Sequence, residues 1–186
     1  PEAAGVIDIN ASTKANIQAV AKAKGMSVSD ITVVVLNRPR HDVLLKEIRE
    51  AGARIRLIQD GDVAAAIETA RPETGIDLLM GIGGTPEGVI TAAAMICLGG
   101  SIQGLLHPKD ADEKERAIDA GHDLKKVLST RDLINSDDVF LSATGITDGE
   151  LLRGIRYTSY GSISESLVMR GKSQTVRLIQ TEHHLK

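Results

Sequence analysis

Three short apolar runs, each followed by a polar loop and a helix-like segment, constrain the fold of this chain more than any other feature. We predict buried strands at residues 31–36, 55–58 and 76–80, because short apolar runs bounded by turn residues are typical of buried strands. Helices are predicted after them at residues 41–51, 63–70 and 86–98. This alternation indicates an α/β fold with a largely parallel sheet and right-handed crossovers.

The loops that follow the first two strands carry candidate ligand-binding residues. The first contains Arg38, Pro39 and Arg40, and the second contains Asp60, Gly61 and Asp62. Guanidinium groups can bind phosphate, whereas carboxylates can accept hydrogen bonds from sugar hydroxyls or bind a hard cation. Solvated arginines, ordinary turn chemistry and a helix N-cap at Asp62 are the alternatives. Because parallel strands end at one edge of a sheet, we expect these loops to meet.

The third loop, at residues 81–88, contains four glycines between an apolar run and an alanine-rich helix. We predict Thr85 as the N-cap, Pro86 as the first helical residue and Glu87 in the first turn. Free amides beside a carboxylate could hold phosphate, or a metal that itself holds phosphate. The spacing matches neither a dinucleotide fingerprint nor a Walker loop. A glycine-rich turn without a ligand is the alternative interpretation.

The helices around these loops have further local signals. We predict a helix at residues 11–24 that is capped by Asn10 or Ser12 and ends at Gly25. In the helix at 41–51, which ends at Gly52, three residues are expected to face inward: Val43, Leu44 and Ile48. Pro72 is expected to end the helix at 63–70.

The second half of the chain changes from alternating units to strands. Predicted elements are a fourth strand at 101–106, an exposed helix at 109–120, a short strand at 126–129, a helical turn at 131–135 and a strand at 139–145. Alternating residues at 163–169 and 175–181 predict a β-hairpin. His183 and His184 are expected to lie in a fraying terminus instead of a metal site.

Composition excludes several classes of function. The 186 residues suit one domain, and 42% hydrophobic and 25% charged residues are ordinary for a globular protein. A net charge of −3 and 2% aromatic residues argue against nucleic acid as a partner. No apolar run is long enough to span a membrane and no signal peptide is visible, so we expect a cytoplasmic protein. Cys97, the only cysteine, is expected to be a buried thiol.

Five segments together resemble the class II fructose-1,6-bisphosphatases, a family that in some phototrophs also hydrolyses sedoheptulose 1,7-bisphosphate. They occur in family order at residues 37–42, 60–65, 81–90, 142–149 and 166–173. The resemblance implies the layered α/β fold of the inositol monophosphatase superfamily, with an antiparallel hairpin at the C-terminus. It also implies Mg²⁺ or Mn²⁺, a role in gluconeogenesis or carbon fixation, and a homo-oligomer, either a dimer or a tetramer.

Residue roles follow from the same resemblance. Arg38, Pro39 and Arg40 match one substrate-binding segment of the family, and Asp60, Gly61 and Asp62 match a second. Gly84 matches a substrate-contacting glycine, and Glu87 matches a ligand of the catalytic metal. We expect Glu87 to hold metal near the scissile 1-phosphate and the two arginines to hold the phosphate that is not cleaved.

The resemblance covers only the C-terminal half of the family's proteins. The acidic N-terminal motifs that supply most metal ligands have no counterpart here, and the chain begins at Pro1 without methionine. We therefore expect residues 1–186 to form one α/β domain of a longer phosphatase. Two alternatives stay open: a non-catalytic sugar-phosphate-binding or regulatory module, and an assembly fragment without a ligand.

Overall fold

The structure is a computed structural model that describes residues 1–184. Its helices are α1 (Thr13–Lys24), α2 (Asp42–Ala51), α3 (Asp62–Thr69), α4 (Thr85–Leu98), α5 (Ala111–Asp119) and α6 (Thr130–Leu133). Its strands are β1 (Thr32–Leu36), β2 (Arg54–Ile58), β3 (Leu78–Leu79), β4 (Gln103–Gly104), β5 (Leu128–Ser129), β6 (Phe140–Thr144), β7 (Arg156–Thr158), β8 (Gly161–Arg170) and β9 (Thr175–His184). Among these residues, no helix combines the length and the apolar character needed to cross a membrane.

The first half of the chain forms the predicted parallel sheet. Its strand order is β2-β1-β3, with β1 in the centre and parallel to both neighbours. Alternate side chains of a strand point to opposite faces, so Val33 and Val35 pack with α1 and α2, whereas Val34 packs with Ala65 of α3. The sheet is therefore covered by helices on both faces, which explains the continuous apolar run of β1.

A second layer of β-structure lies beyond α3 and α4. Strand β8 pairs antiparallel with β6 and β7 along one side and with β9 along the other. The core between this sheet and α4 contains Met95, Cys97, Leu141, Leu167 and Met169. The order of layers is thus α1 and α2, parallel sheet, α3 and α4, antiparallel sheet. This confirms a mixed α/β fold with an antiparallel hairpin at its C-terminal end.

The local end signals of the helices were predicted with differing success. Ser12 caps α1, and Gly25, Gly52 and Gly99 end α1, α2 and α4 with positive φ. The predicted N-caps at Asp62 and Thr85 were wrong, because each is the first residue of its helix and the preceding glycine takes the N-cap position.

Several other predictions were wrong or only partly right because tertiary packing decides these positions. Val43 is 71% exposed, and Leu45 with Ile48 fills the inward positions of α2 instead. The strand predicted at 76–80 is paired only at β3, although Ile76 is buried. The strand predicted at 101–106 is reduced to β4, which pairs antiparallel with β5 and lies outside the parallel sheet.

Strand β9 reaches further along the chain than the predicted strand at 175–181. His183 and His184 belong to β9; the imidazole of His183 hydrogen-bonds the Ser164 hydroxyl over 2.9 Å, and the ring of His184 stacks on Tyr160. The prediction of a fraying terminus was therefore wrong for these two residues. Residues 185 and 186, which the predicted domain includes, lie outside the described residues.

Candidate functional site

The site lies where the direction of chain connection reverses in the parallel sheet. From β1 the chain passes to β2 on one side, and it then crosses to β3 on the other side. The loops after β1 and β3 consequently lead to helices on opposite faces of the sheet, and they leave a crevice between them. Ligands of open α/β sheets bind at such switch points, beyond the carboxyl ends of the strands.

An ion pair joins the loops after β1 and β2. Nη2 of Arg38 lies 3.0 Å from Oδ1 of Asp60, and Nη1 of Arg38 donates to the carbonyl of Asn37 over 2.9 Å. The carboxylate of Asp60 is 88% exposed, so solvent reaches one side of the pair freely. An exposed pair of this kind is weak, and an anionic ligand can compete for the guanidinium.

Two residues of the first loop hold the glycine loop. Arg40 donates from Nε and Nη2 to the carbonyl of Ile82 over 3.1 and 2.7 Å. The N–H of Ile82 donates to Nε2 of His41 over 2.8 Å. Both backbone groups of Ile82 are therefore bound by consecutive residues of the short 3-10 turn Pro39–His41, in which Pro39 supplies the fixed φ of the first position.

The glycine loop leads directly into the first turn of α4. Gly84 is the N-cap with φ −80° and ψ 151°, and Glu87 lies in the first turn. A Cβ built on Gly84 would clash with Oε2 of Glu87, so the carboxylate folds back over this glycine. The arrangement brings a carboxylate and the amino end of a helix to one exposed position, as predicted.

The second loop also reaches the glycine loop. Gly61 adopts φ 84° as the N-cap of α3, and the carboxylate of Asp62 follows it in the first turn. Oδ2 of Asp62 would lie 3.1 Å from a Cβ on Gly83. The three predicted loops thus meet at one edge of the sheet, and all the predicted site residues lie on them: Arg38, Pro39, Arg40, Asp60, Gly61, Asp62, Gly84 and Glu87.

The described residues do not form a complete metal site. Within residues 1–184, no group of three or more His, Cys, Asp and Glu side chains is arranged to hold a metal ion. Glu87 is exposed and offers one carboxylate, whereas Mg²⁺ and similar hard cations need several oxygen ligands. The residues present therefore do not fit the metal that the resemblance implies, except as a source of one ligand.

His41 is the main contributor to the site that sequence analysis missed. Its ring is buried, with 1% exposure, and Nδ1 lies 2.8 Å from the carbonyl of Leu36. In the sequence it looked like the beginning of a helix. A histidine in the loop after a buried strand, next to candidate binding residues, was the signal that could have identified it.

The ionisable groups whose pKa values are shifted lie away from the site. Burial raises the pKa of the Glu68 carboxyl in α3, and the nearby Arg56 guanidinium opposes that change. Burial also raises the pKa of the Cys97 thiol, which lies in the core as predicted. A buried thiol with a raised pKa is a poor nucleophile, so Cys97 has a packing role.

Comparisons with known proteins identify relatives that match nearly all of this chain. The sequence model of the family "Bacterial fructose-1,6-bisphosphatase, glpX-encoded" matches residues 1–183. A protein of Haemophilus influenzae named "Fructose-1,6-bisphosphatase class 2" is 41% identical over 97% of this chain and 58% of its own length. Two Synechococcus proteins named "D-fructose 1,6-bisphosphatase class 2/sedoheptulose 1,7-bisphosphatase" are each 41% identical over 98% of this chain and 56% of their own length. The chain thus spans somewhat more than half the length of these relatives.

Proposed function

Because this chain belongs to the family of bacterial, glpX-encoded fructose-1,6-bisphosphatases, we propose that it supplies the substrate-binding half of a sugar bisphosphatase. The reaction is hydrolysis of the 1-phosphate of fructose 1,6-bisphosphate to the monophosphate and inorganic phosphate. Relatives at 41% identity carry this activity in their names, and some also carry sedoheptulose 1,7-bisphosphatase. The proposal includes sedoheptulose 1,7-bisphosphate as a second substrate of the same site.

The observation that carries the proposal is the meeting of three loops at the switch point of the parallel sheet. Arg38 and Arg40 provide cations for the phosphate that is not cleaved. Asp60 and Asp62 provide acceptors for sugar hydroxyls. Arg38 is already paired with Asp60, so substrate phosphate must replace or share this contact. The edge of the Arg40 guanidinium that faces Ile82 is occupied, and phosphate would approach its other edge.

The proposed metal dependence rests on Glu87 and on the size of the relatives. Divalent ions activate water and neutralise charge on a transferring phosphoryl group, and the resemblance implies Mg²⁺ or Mn²⁺. Glu87 would contribute one ligand beside Gly84, near the 1-phosphate. We propose that the other ligands come from the part of the relatives that this chain does not match, which is about 42–44% of their length.

A non-catalytic sugar-phosphate module is the second candidate function. It is favoured by one observation, namely that residues 1–184 contain no arrangement of ligands for a metal. In this case the loops would bind a sugar bisphosphate without hydrolysing it. The same residues would make the same contacts with substrate, so binding alone cannot separate the two candidates.

One pair of measurements tests both candidates. Isothermal calorimetry of the 186-residue chain with fructose 1,6-bisphosphate measures binding, with fructose as the ligand that lacks phosphate. A phosphate-release assay with Mn²⁺ then compares this chain with a protein that also carries the remaining part of a relative. We expect binding by both proteins and turnover only by the longer one. Absence of turnover in the longer protein would favour the binding module, and absence of binding would contradict both candidates.

The wider context is also proposed from the family resemblance. We propose a cytoplasmic role in gluconeogenesis or carbon fixation, and a homo-oligomer, either a dimer or a tetramer. The described structure leaves Val176 and Leu178 of β9 exposed by 41% and 62%. They lie across from Met169 and Leu167, which are buried, so β9 extends the core-facing side of the sheet beyond its helical cover. Sedimentation of the chain at several concentrations would test the proposed association.

A further inference from the structure

His41 connects the first loop to the glycine loop through two hydrogen bonds of its ring. These two bonds define which ring nitrogen carries the proton. The N–H of Ile82 can only donate, so Nε2 of His41 must accept and carry no proton. The carbonyl of Leu36 can only accept, so Nδ1 must carry the proton and donate. The neutral imidazole with its proton on Nδ1 satisfies both contacts at 2.8 Å, whereas the other tautomer satisfies neither.

The ring also packs directly against the beginning of the glycine loop. A Cβ on Gly81 would lie 3.1 Å from both Cε1 and Nε2 of His41, and Gly81 has φ 149°, which favours glycine. The loop therefore approaches the imidazole so closely that a side chain at position 81 would require a small shift of the ring, in addition to strain from the positive φ. Hydrogen bonding and steric contact both set the path of the chain just before Gly83, Gly84 and Glu87.

We propose that His41 is a positioning residue for sugar-bisphosphate binding. It joins the end of β1 to Ile82, and it thereby sets the distance between the arginines of the first loop and the amides of the glycine loop. Arg40 reinforces the same peptide from its carbonyl side. The inference rests on the proposed function of the site, but the hold of His41 on Ile82 can be measured without a ligand.

Two substitutions separate the two contacts of the ring. The amide of glutamine reaches the position of Nε2, so His41→Gln keeps an acceptor for Ile82. The amide of asparagine reaches only the position of Nδ1, so His41→Asn keeps a donor for Leu36 and loses the contact with Ile82. His122→Gln, at an exposed histidine that follows α5, is the control for loss of an imidazole elsewhere.

Three quantities are measured for each variant: the thermal midpoint, hydrogen exchange of the Ile82 amide, and the Kd for fructose 1,6-bisphosphate. Loss of one hydrogen bond predicts about tenfold faster exchange at Ile82 and about tenfold weaker binding in His41→Asn. His41→Gln should stay within about threefold of the unsubstituted chain in both quantities. His122→Gln should change none of them.

The outcomes distinguish the inference from the proposed function. Unchanged affinity in His41→Asn despite faster exchange at Ile82 would overturn the inference. So would equal losses of affinity and thermal midpoint in both His41 variants, because the role would then be structural only. If the unsubstituted chain binds no fructose 1,6-bisphosphate, the proposed function fails. In that case hydrogen exchange of the Ile82 amide is the only test of the inference. Equal exchange rates in His41→Asn and His41→Gln would then contradict the role of the His41–Ile82 hydrogen bond in positioning the loop.

Discussion

Arg38 and Asp60 form an ion pair over 3.0 Å that bridges the loops after β1 and β2. The resemblance assigns both residues to the substrate, and the structure has them bound to each other. A ligand phosphate and Asp60 therefore compete for one guanidinium, while a sugar hydroxyl and Arg38 compete for one carboxylate. Affinity for the substrate therefore depends on the free energy needed to separate this exposed ion pair.

Asp60→Asn should strengthen the binding of inorganic phosphate, because the loss of the carboxylate charge leaves the Arg38 guanidinium available. Exposed pairs contribute about 0.2–1 kcal/mol, so we expect a gain of up to about fivefold at low salt. Calorimetry measures the change. Asp30→Asn, which removes the carboxylate partner of Arg54 at the opposite end of β2, is the matched control and should have no effect. Weaker phosphate binding in Asp60→Asn would contradict the competition.

Gly84→Ala should impair binding of fructose 1,6-bisphosphate with little effect on folding. The backbone angles of Gly84 suit alanine, but the new Cβ would fill the space beside the Glu87 carboxylate in which the substrate is expected to contact this glycine. Loss of a glycine N-cap should cost no more than about 1 kcal/mol. Gly88→Ala is the control, since its Cβ meets no heavy atom within 4 Å, and it should stabilise α4 by about 0.5–1 kcal/mol. Urea unfolding and calorimetry measure both effects, and normal ligand affinity in Gly84→Ala would refute the role of this position.

Glu87→Gln should lower the turnover of a protein of the relatives' full length by about a hundredfold or more. A metal contributes several kcal/mol of charge stabilisation, and each 1.36 kcal/mol is tenfold in rate. The KM should change little, because Glu87 is expected to hold metal and to make no contact with the sugar. Glu50→Gln, on the exposed side of α2, is the control. Normal turnover in Glu87→Gln would remove this residue from the metal site.

Mn²⁺ should bind the 186-residue chain only weakly, because Glu87 alone cannot surround the ion. Even complete oxygen-ligand sites of low affinity have a Kd on the order of 10⁻³ M, so we expect a value no tighter than this. Titration followed by the paramagnetic relaxation of water measures the binding. A Kd in the micromolar range would show that the described residues do assemble a metal site.

Glu68→Gln should change the free energy of unfolding in a pH-dependent way. The difference between the variant and the unsubstituted chain should be more favourable to the variant at neutral pH than at acidic pH. Burial raises the folded-state pKa of Glu68 above its ordinary value of 4.5, so the folded chain binds more protons between the two values. The free energy of unfolding contributed by Glu68 therefore falls as pH rises through this window. Urea unfolding on both sides of the window measures the difference. Glu150→Gln, which removes the exposed partner of the same Arg56, is the control, and an equal pH response in both variants would rule out burial as the cause.

The element order and the loop residues were predictable because their signals are local. Apolar runs identified β1 and β2, glycines identified the ends of α1 and α2, and the resemblance depended on short segments in order. Predictions failed where a choice depended on packing. Leu45 instead of Val43 faces the core, and Gly84 instead of Thr85 caps α4, because the path of the chain into each helix decides which residue is the first.

The family and the loops that carry the candidate site are therefore readable from the residues alone. The contacts within the site are not, since they join residues that are remote in the chain. Arg38 meets Asp60 across 22 positions, and His41 meets Ile82 across 41. Both contacts exist only because β1 lies between β2 and β3 in a parallel sheet. No local pattern of residues encodes this strand order, because it depends on hydrogen bonds between strands that are remote in the chain.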